Sequence, residues 1–165
     1  MTVYLLDTNV FIEAERDYYN NAIAPTYWDW LIKQHQDKNI ASTHDVYNEL
    51  TAGNPGFLRT WAIKKAPSSF WIKSSNSDAP AFQALTDWVY NKKQPPFRPE
   101  AIDEFLRIAD YSLVAQAKSL GCAVVTREQS APAAVKRVHI PDACMAIGVN
   151  YYSPFQIYKK LGLRF

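Results

Sequence analysis

Short apolar runs alternate with amphipathic stretches along most of the chain. Four of these runs have the length of buried strands and cover residues 3–6, 39–43, 122–126 and 138–140. Within each run the apolar side chains follow one another with little polar alternation, which is typical of strands that are covered on both faces. The pattern therefore predicts an α/β protein in which helices cover both faces of a mostly parallel sheet.

Helix boundaries are indicated by cap and breaker residues. Ser42 and Asp45 form a capping-box pattern before the stretch HDVYNEL, and Gly53 marks the end of that helix. Pro99 opens a long helical segment that ends at Gly121. Each of these helices adjoins a predicted strand, as an α/β fold requires.

Residues 54–99 are rich in proline and aromatic side chains. We interpret this segment as an insertion of short helices and turns into a single domain that spans residues 1–165. Large aromatic side chains are mostly core residues, so we expect them to pack the insertion onto the sheet. They are Trp61, Phe70, Trp71, Phe82 and Trp88. The alternative is a surface that grips single-stranded nucleic acid by stacking and charge, with cations from Lys64, Lys65, Lys73, Lys92, Lys93 and Arg98.

Composition narrows the class of protein. A chain of 165 residues, 48% of them apolar, can bury one substantial core, and its formal net charge of +2 permits a nucleic-acid partner without indicating one. Cys122 and Cys144 are not closely spaced, so we expect neither a disulfide framework nor a cysteine metal site. The first acid comes too early for a signal peptide, and no apolar run approaches the roughly 20 residues of a membrane helix. We therefore expect a cytoplasmic protein without a membrane partner.

Acidic residues follow three of the predicted strands. Asp7 ends the first apolar run, Glu128 follows the third and Asp142 follows the fourth. Ligands bind outside the carboxyl ends of the strands in an open parallel sheet, so these side chains are expected at one edge. Each acid also has an ordinary explanation: Asp7 would cap the next helix, Glu128 would be a solvated loop residue, and Asp142 would lie in a first helical turn.

Two further acids lie in line with apolar positions of predicted helices. Asp110 shares a helical face with Leu113, and Glu49 lies on the same side as Val46 and Leu50. A desolvated carboxylate is costly unless hydrogen bonds, a cation or protonation offset the cost. Several carboxylates in one place repel one another, and a divalent cation would relieve that repulsion. Hard oxygen ligands without His or Cys favour Mg²⁺ or Mn²⁺.

The sequence around these acids resembles the PIN domains of metal-dependent ribonucleases. The resemblance rests on LLDTNVFI, on DVYNEL after the second predicted strand, and on ADYSLVAQAKSLGCAVVTRE. It covers roughly residues 2–50 and 103–153, and it is greatest to an uncharacterised prokaryotic branch of PIN-like proteins grouped with the VapC-type toxins. It implies a three-layer α/β/α PIN-like fold with a central sheet of four to five strands.

The resemblance also implies roles for individual residues. Asp7, Glu49 and Asp110 correspond to the catalytic, metal-binding acids of the family. Glu128 stands where the family usually has Asp, and it would hold the same Mg²⁺ or Mn²⁺ directly or through water. Thr126 occupies the strand-end hydroxyl position and supports the site.

Other residues near these motifs are assigned supporting or peripheral roles. Asn9 matches an amide that orients site groups, and Thr8 supports the turn by its hydroxyl. Asp142 has no counterpart in the family motif and is a candidate peripheral site residue. Asp103 is interpreted as a solvated or capping acid.

The implied activity is endonucleolytic hydrolysis of RNA with 5′-phosphate and 3′-hydroxyl products. Arg127, Lys136 and Arg137 are candidate RNA contacts, with ordinary surface cations as the alternative. The resemblance to toxins implies an antitoxin protein that covers the acidic edge or sends a cation into it, and a homodimer is a further expectation. Two other functions stay open: a catalytically silent PIN-like module that binds RNA or protein, and a phosphatase with Asp7 as nucleophile. The phosphatase would need an acid where Asn9 stands.

Overall fold

The computed structural model describes residues 3–165, which form one five-stranded sheet with helices on both faces. The strands are β1 (Tyr4–Leu6), β2 (Ile40–Thr43), β3 (Trp71–Ile72), β4 (Ala123–Val125) and β5 (Tyr151–Tyr152). They lie in the order β3-β2-β1-β4-β5, and every neighbouring pair is parallel. The carboxyl ends of all five strands therefore lie at one edge of the sheet.

Within the described range the chain forms nine α-helices. They are α1 (Thr8–Glu13), α2 (Pro25–Gln36), α3 (His44–Ala52), α4 (Phe57–Thr60), α5 (Ala79–Asp87), α6 (Pro99–Phe105), α7 (Ala109–Leu120), α8 (Ile140–Ile147) and α9 (Pro154–Lys160). Three helices continue into π-helical turns: Ala14–Tyr18 after α1, Trp61–Lys65 after α4 and Trp88–Lys92 after α5. Among residues 3–165, no helix combines the length and apolar character needed to cross a membrane.

Alternating side chains of the central strand point into two separate cores. Tyr4 and Leu6 pack with α1, α2 and α9 on one face, whereas Leu5 packs with α5, α6, α7 and α8 on the other. Because β1 is covered on both sides, all three of its residues are buried, which explains its unbroken apolar run. The three-layer α/β/α architecture and the parallel sheet predicted from the sequence are confirmed.

The two edge strands differ from the prediction. The run at residues 138–140 is not a strand, because Val138 lies in an irregular segment and Ile140 begins α8. Its apolar character reflects burial in the second core rather than strand pairing. The strand beside β4 is instead β5, and the opposite edge strand, β3, comes from the segment interpreted as helices and turns. Each of these edge strands has only two residues, too few to produce a periodic pattern.

The start of α3 is capped by a different residue from the one predicted. Thr43, not Ser42, is the N-cap, and its hydroxyl oxygen accepts a hydrogen bond from the Val46 N–H at 3.3 Å. Ser42 belongs to β2, where its hydroxyl donates to the Leu6 carbonyl at 2.6 Å. Sheet pairing therefore extends one residue further than the capping-box pattern suggests.

The long helix predicted from Pro99 to Gly121 is two helices. The chain turns at residues 106–108, between α6 and α7, although Phe105 and Ala109 on either side are both buried. Apolar residues on both sides of the break hide it from the hydrophobic pattern. As a result, Asp110 lies in the first turn of α7 rather than in the middle of a helix.

The aromatic residues of the proline-rich segment mainly pack in or against the two hydrophobic cores. Trp61, Phe70 and Trp71 are buried in the first core, and Phe82 and Trp88 are partly buried against the second. This agrees with the packing role expected for them. The single-domain organisation of the whole chain stays a prediction.

Candidate active site

The carboxyl edge of the sheet brings Asp7 and Thr126 together. Asp7 follows β1 and Thr126 follows the neighbouring strand β4. Asp7 is only 2% exposed, and the Thr126 hydroxyl donates a hydrogen bond to its Oδ2 at 3.1 Å. Asp7 occupies the N-cap position of α1 without making a side-chain cap hydrogen bond, although the backbone N–H of Asn9 faces its carboxylate. The hydrogen bond with Thr126 is therefore made in addition to the position of Asp7 at the start of α1.

Asp110, in the first turn of α7, is a second buried acid close to Asp7 and is 8% exposed. Burial raises the pKa of Asp7 to about 7, and repulsion from Glu128 and Glu49 adds to this effect. Burial also raises the pKa of Asp110 to about 8, with repulsion from Asp7 as the next cause. Because both pKa values lie at or above neutrality, the pair of carboxyls retains a proton at neutral pH rather than carrying two full charges. Perturbed acids of this kind cluster at functional sites.

Glu49 reaches the same place from α3, but it is exposed. Its Oε1 accepts a hydrogen bond from the Thr8 hydroxyl at 2.7 Å, and its Oε2 accepts one from the Ala109 N–H at 3.0 Å. Glu49 thus supplies the cap that Ile108, the N-cap residue of α7, does not provide. The expected burial of Glu49 beside Val46 is wrong, because three positions along a helix place it about 60° away, at the margin of the apolar face.

Glu128 is not a solvated loop residue, since its side chain is only 11% exposed. Its Oε1 accepts a hydrogen bond from Arg137 at 3.1 Å, and His139 Nδ1 lies 3.7 Å from the same oxygen. Its Oε2 is buried and has no hydrogen-bond partner among the described residues. The charge of Glu128 raises the pKa of both buried aspartates, after the larger effect of burial. One of its oxygens therefore remains available near the acid pair.

These acids have the chemistry of a Mg²⁺ or Mn²⁺ site without forming a complete cage. Hard divalent cations prefer carboxylate oxygens, and a cation here would relieve the repulsion between the acids. In the part of the chain that the structure describes, however, no three His, Cys, Asp or Glu side chains are placed to hold one ion together. Both oxygens of Glu49 are already engaged. Asp7 and Asp110, together with the unpartnered Oε2 of Glu128, are the groups that would hold a metal, and binding one ion would require their side chains to move closer together.

Asp142 anchors the loop between β4 and α8. Its Oδ1 accepts a hydrogen bond from the Ser130 hydroxyl at 2.7 Å, and its Oδ2 accepts one from the Ala131 N–H at 2.8 Å. Lys93 holds the same loop by donating to the Ala134 carbonyl at 3.1 Å. The expectation that Asp142 follows a strand is wrong, because it lies in the first turn of α8. The two anchors hold the loop that carries Glu128.

The supporting residues make contacts other than those expected. The Asn9 side chain is exposed, so only its backbone faces Asp7. The Thr8 hydroxyl bonds to Glu49 on α3 rather than to its own turn. Thr126 contacts the first acid directly, and its hydroxyl oxygen also accepts a hydrogen bond from the Glu128 N–H at 3.1 Å.

The three cations expected to contact RNA are all exposed. Arg137 pairs with Glu128, and Arg127 forms an ion pair with Glu13 at 3.4 Å. Within residues 3–165, Lys136 has no ion-pair partner. The site is thus bordered by cations, two of which are held by acids.

Sequence reasoning did not single out Glu13, Tyr18 or His139. The sequence could have indicated Glu13, because it is an acid between apolar positions of the short helix after Asp7. In the structure its Oε2 is buried. Tyr18, which accepts a hydrogen bond from Arg127, carried no signal in the sequence. His139 carried none either, because its contact with Glu128 depends on how the loop after β4 folds back on itself.

The fold is that of an α/β protein with a PIN-like architecture, and acidic side chains lie at the carboxyl edge of its sheet. The chain belongs to the family of a domain of unknown function, DUF4411, whose model matches residues 4–165. A search of the curated proteins found no match. Among solved structures, the chain is similar to one from FitAB bound to an IR36 DNA fragment, with a TM-score of 0.57 and 16% sequence identity. The match covers 93% of this chain and 96% of that one, and it supports the PIN-like fold.

The metal-free protein is expected to lose stability as the pH rises from about 5 to about 8. Asp7 and Asp110 have native pKa values of about 7 and about 8, above their ordinary value of 3.8. Between the unfolded and native values the native state binds more protons than the unfolded chain, so the free energy of unfolding falls as the pH rises. Asp110→Asn should therefore raise the free energy of unfolding at pH 8 by about 1–3 kcal/mol and flatten its pH dependence.

Urea unfolding in EDTA at several pH values measures this effect. Asp103→Asn is the matched control, because Asp103 is an exposed acid in α6. Its removal should leave the slope of the free energy of unfolding against pH unchanged. An Asp110→Asn protein that keeps the wild-type slope would contradict the raised pKa of the pair.

Asp142→Asn is expected to lower the free energy of unfolding by about 1–3 kcal/mol. The amide can keep both contacts, with its oxygen accepting from the Ala131 N–H and its nitrogen donating to the Ser130 hydroxyl, but it loses the charge of the carboxylate, and charge-assisted hydrogen bonds are about twice as strong as neutral ones. Ser130→Ala removes only a hydroxyl and should cost about 1 kcal/mol. Denaturant titration measures both changes, and unchanged stability in Asp142→Asn would show that this residue does not anchor the loop.

Proposed function

We propose that this protein is a metal-dependent endoribonuclease of the PIN-like class. The observation that carries the proposal is the pair Asp7 and Asp110, buried together at the carboxyl edge of a parallel sheet with raised pKa values. Open α/β sheets bind ligands at this edge. The assignment of the activity to RNA comes from the resemblance of the sequence to ribonucleases.

The carboxylates by themselves would repel a phosphodiester, so the proposed activity requires Mg²⁺ or Mn²⁺ held by Asp7, Asp110 and Glu128. Such an ion, when bound, would activate a water molecule and neutralise charge on the phosphate. Thr126 orients Asp7 by its hydrogen bond. Glu49 fixes the N-terminus of α7 and thereby the position of Asp110.

Two exposed cations on the loop after β4 would contact the backbone of the substrate. Lys136 is free of ion pairs in the described range, and Arg137 lies beside Glu128 at the site. Both are suited to phosphate oxygens, which fix the register of a nucleic acid without reading its sequence.

A second candidate function is a PIN-like module that binds RNA or protein without catalysis. The placement of the acids favours it. Within residues 3–165, no three acids are placed to hold one ion, and both oxygens of Glu49 are engaged in hydrogen bonds. Such a module would keep the acidic edge as a binding surface. The requirement for metal separates it from the nuclease.

We further propose that the protein acts as the toxin of a VapC-like toxin–antitoxin pair. The proposal rests on the resemblance of the sequence to that branch. The similar chain from FitAB comes from a structure bound to a DNA fragment, which concerns FitAB itself. A partner would cover the acidic edge and place an Arg or Lys beside Asp7 and Asp110, because a cation can take the place of a metal there.

The protein is expected to cleave RNA in the presence of Mg²⁺ or Mn²⁺ and to lose this activity in EDTA. Asp7→Asn and Asp110→Asn should each reduce cleavage by at least about 100-fold, because each removes a charged oxygen ligand. Gel analysis of a mixed single-stranded RNA measures cleavage, and manganese titration followed by calorimetry measures loss of metal binding.

Asp103→Asn serves as the control and should cleave at the wild-type rate, because this acid is exposed and away from the buried pair. Metal-dependent cleavage that persists in both aspartate variants would refute the site. RNA binding without cleavage in any metal would favour the silent module.

Co-expression with the product of the adjacent gene is expected to give a complex with reduced nuclease activity. A partner that inserts a cation should also bind Asp7→Asn more weakly than the wild type, because the acidic pair loses charge. Co-purification and cleavage assays measure both. Full activity in the purified complex would contradict the antitoxin role.

A further inference from the structure

An exposed cluster of one cation and two aromatic rings lies beside the acid pair. The Arg127 guanidinium lies 4.9 Å from the centre of the Tyr18 ring and 5.5 Å from that of Phe155. The two rings meet edge to face, with their centres 5.2 Å apart. Arg127 also donates a hydrogen bond to the Tyr18 hydroxyl. We call these three residues the Arg127 platform.

The Arg127 platform is built on rigid elements. Phe155 is the second residue of α9, whose N-terminus is fixed by a capping box between Ser153 and Gln156. The Phe155 ring packs at 90° on Tyr158, a buried residue that is hydrogen-bonded to Tyr27 at 2.6 Å. A ligand would therefore meet a preformed surface and would lose little side-chain entropy there.

Tyr18 is the last residue of the π-helical turn that continues α1. Turns of this kind are rare and occur often at functional sites. Here the turn places the Tyr18 ring next to Arg127, which belongs to a segment more than a hundred residues later. The platform is thus assembled from three parts of the chain.

The position of the platform relates it to the acid pair. Arg127 directly follows Thr126, whose hydroxyl bonds to Asp7. Phe155 follows β5, two strands from β1 across the same carboxyl edge. Neighbouring strands are about 4.8 Å apart, so the platform lies roughly 10 Å from the acids, within reach of an adjacent nucleotide.

The charge of Arg127 is already used within the protein. Its Nε lies 3.4 Å from Glu13 Oε2, a buried oxygen that has no hydrogen-bond partner among the described residues. Arg127 therefore serves chiefly to hold the rings, while the rings remain available, with Tyr18 44% exposed and Phe155 42% exposed. Flat, partly exposed rings beside a neutralised cation suit the face of a nucleobase, which carries no charge.

We propose that the Arg127 platform stacks an unpaired base of the substrate and so positions the adjoining phosphate at Asp7 and Asp110. This proposal rests on the proposed nuclease function and specifies its substrate as single-stranded. Bases in a duplex are stacked on one another, whereas those of a single strand are free to stack on protein rings. Phe155 and Tyr18 are the stacking residues, and Arg127 is a positioning residue.

Binding without cleavage tests the proposal. The probes are two fluorescent single strands of equal length in EDTA: a mixed-sequence RNA, and a ribose-phosphate strand that lacks bases. Wild type should bind the RNA more tightly than the base-free strand, and Phe155→Leu and Tyr18→Leu should each weaken RNA binding about tenfold. The same variants should change binding of the base-free strand little, because it offers nothing to stack.

Matched variants distinguish the effect of stacking on RNA binding from the effects of folding and charge. Tyr90→Leu removes an exposed ring outside the platform and should leave RNA binding unchanged. Tyr18→Phe keeps the ring but loses the hydroxyl that holds Arg127, so it should weaken binding less than Tyr18→Leu. Thermal unfolding identifies any variant that fails to fold, in which case Tyr18→Met or Phe155→Met, which remove the ring but keep a long apolar side chain, replaces it.

Each outcome bears on one claim. The platform would be overturned if the variants lost affinity equally for both strands. It would also be overturned if neither variant lost affinity for the RNA, or if the variants lost binding only to a protein partner. Base-dependent binding by a protein that cleaves nothing would support the platform and reject the nuclease. Cleavage that is unaffected by the platform variants, with unchanged binding, would reject the platform alone.

Discussion

The site depends on two carboxylates, Asp7 and Asp110, that the sheet and α7 keep out of water at one edge. An ionised carboxylate is costly to bury, and a second one beside it adds repulsion. The raised pKa values of both groups express this cost as retained protons. A fold accepts such destabilisation where function requires it, since stability and activity often trade against each other at a site.

The residues around the acid pair hold it in place by hydrogen bonds. Thr126 fixes Asp7, and Glu49 caps α7 so that Asp110 is presented from the first turn. Glu128 lies on a loop that Asp142 and other anchors tie to the helices behind it. The acids that the sequence placed on equal terms therefore have distinct tasks: two are buried at the centre, and the others orient, border or anchor the site.

The chemistry of the carboxyl edge changes across the sheet. Asp7 follows β1, whereas Arg127 follows β4 and Phe155 follows β5. This order follows from the parallel topology, which brings every strand end to the same edge and sets neighbours about 4.8 Å apart. The proposed nucleic-acid substrate carries one phosphate and one base per nucleotide, which is why the proposal assigns one charged and one stacking region to this edge.

The sequence by itself determined the layers of the fold and the burial of Asp110. Strands covered on both faces must be apolar throughout, so β1, β2 and β4 were visible, and Asp110 stood out because it interrupts the apolar stripe of α7. Only the tertiary structure decided the two-residue edge strands, the break before α7, the exposed position of Glu49 and the platform of Tyr18 and Phe155. These features depend on contacts between segments far apart in the chain, and a local pattern of polar and apolar residues carries no record of such partners.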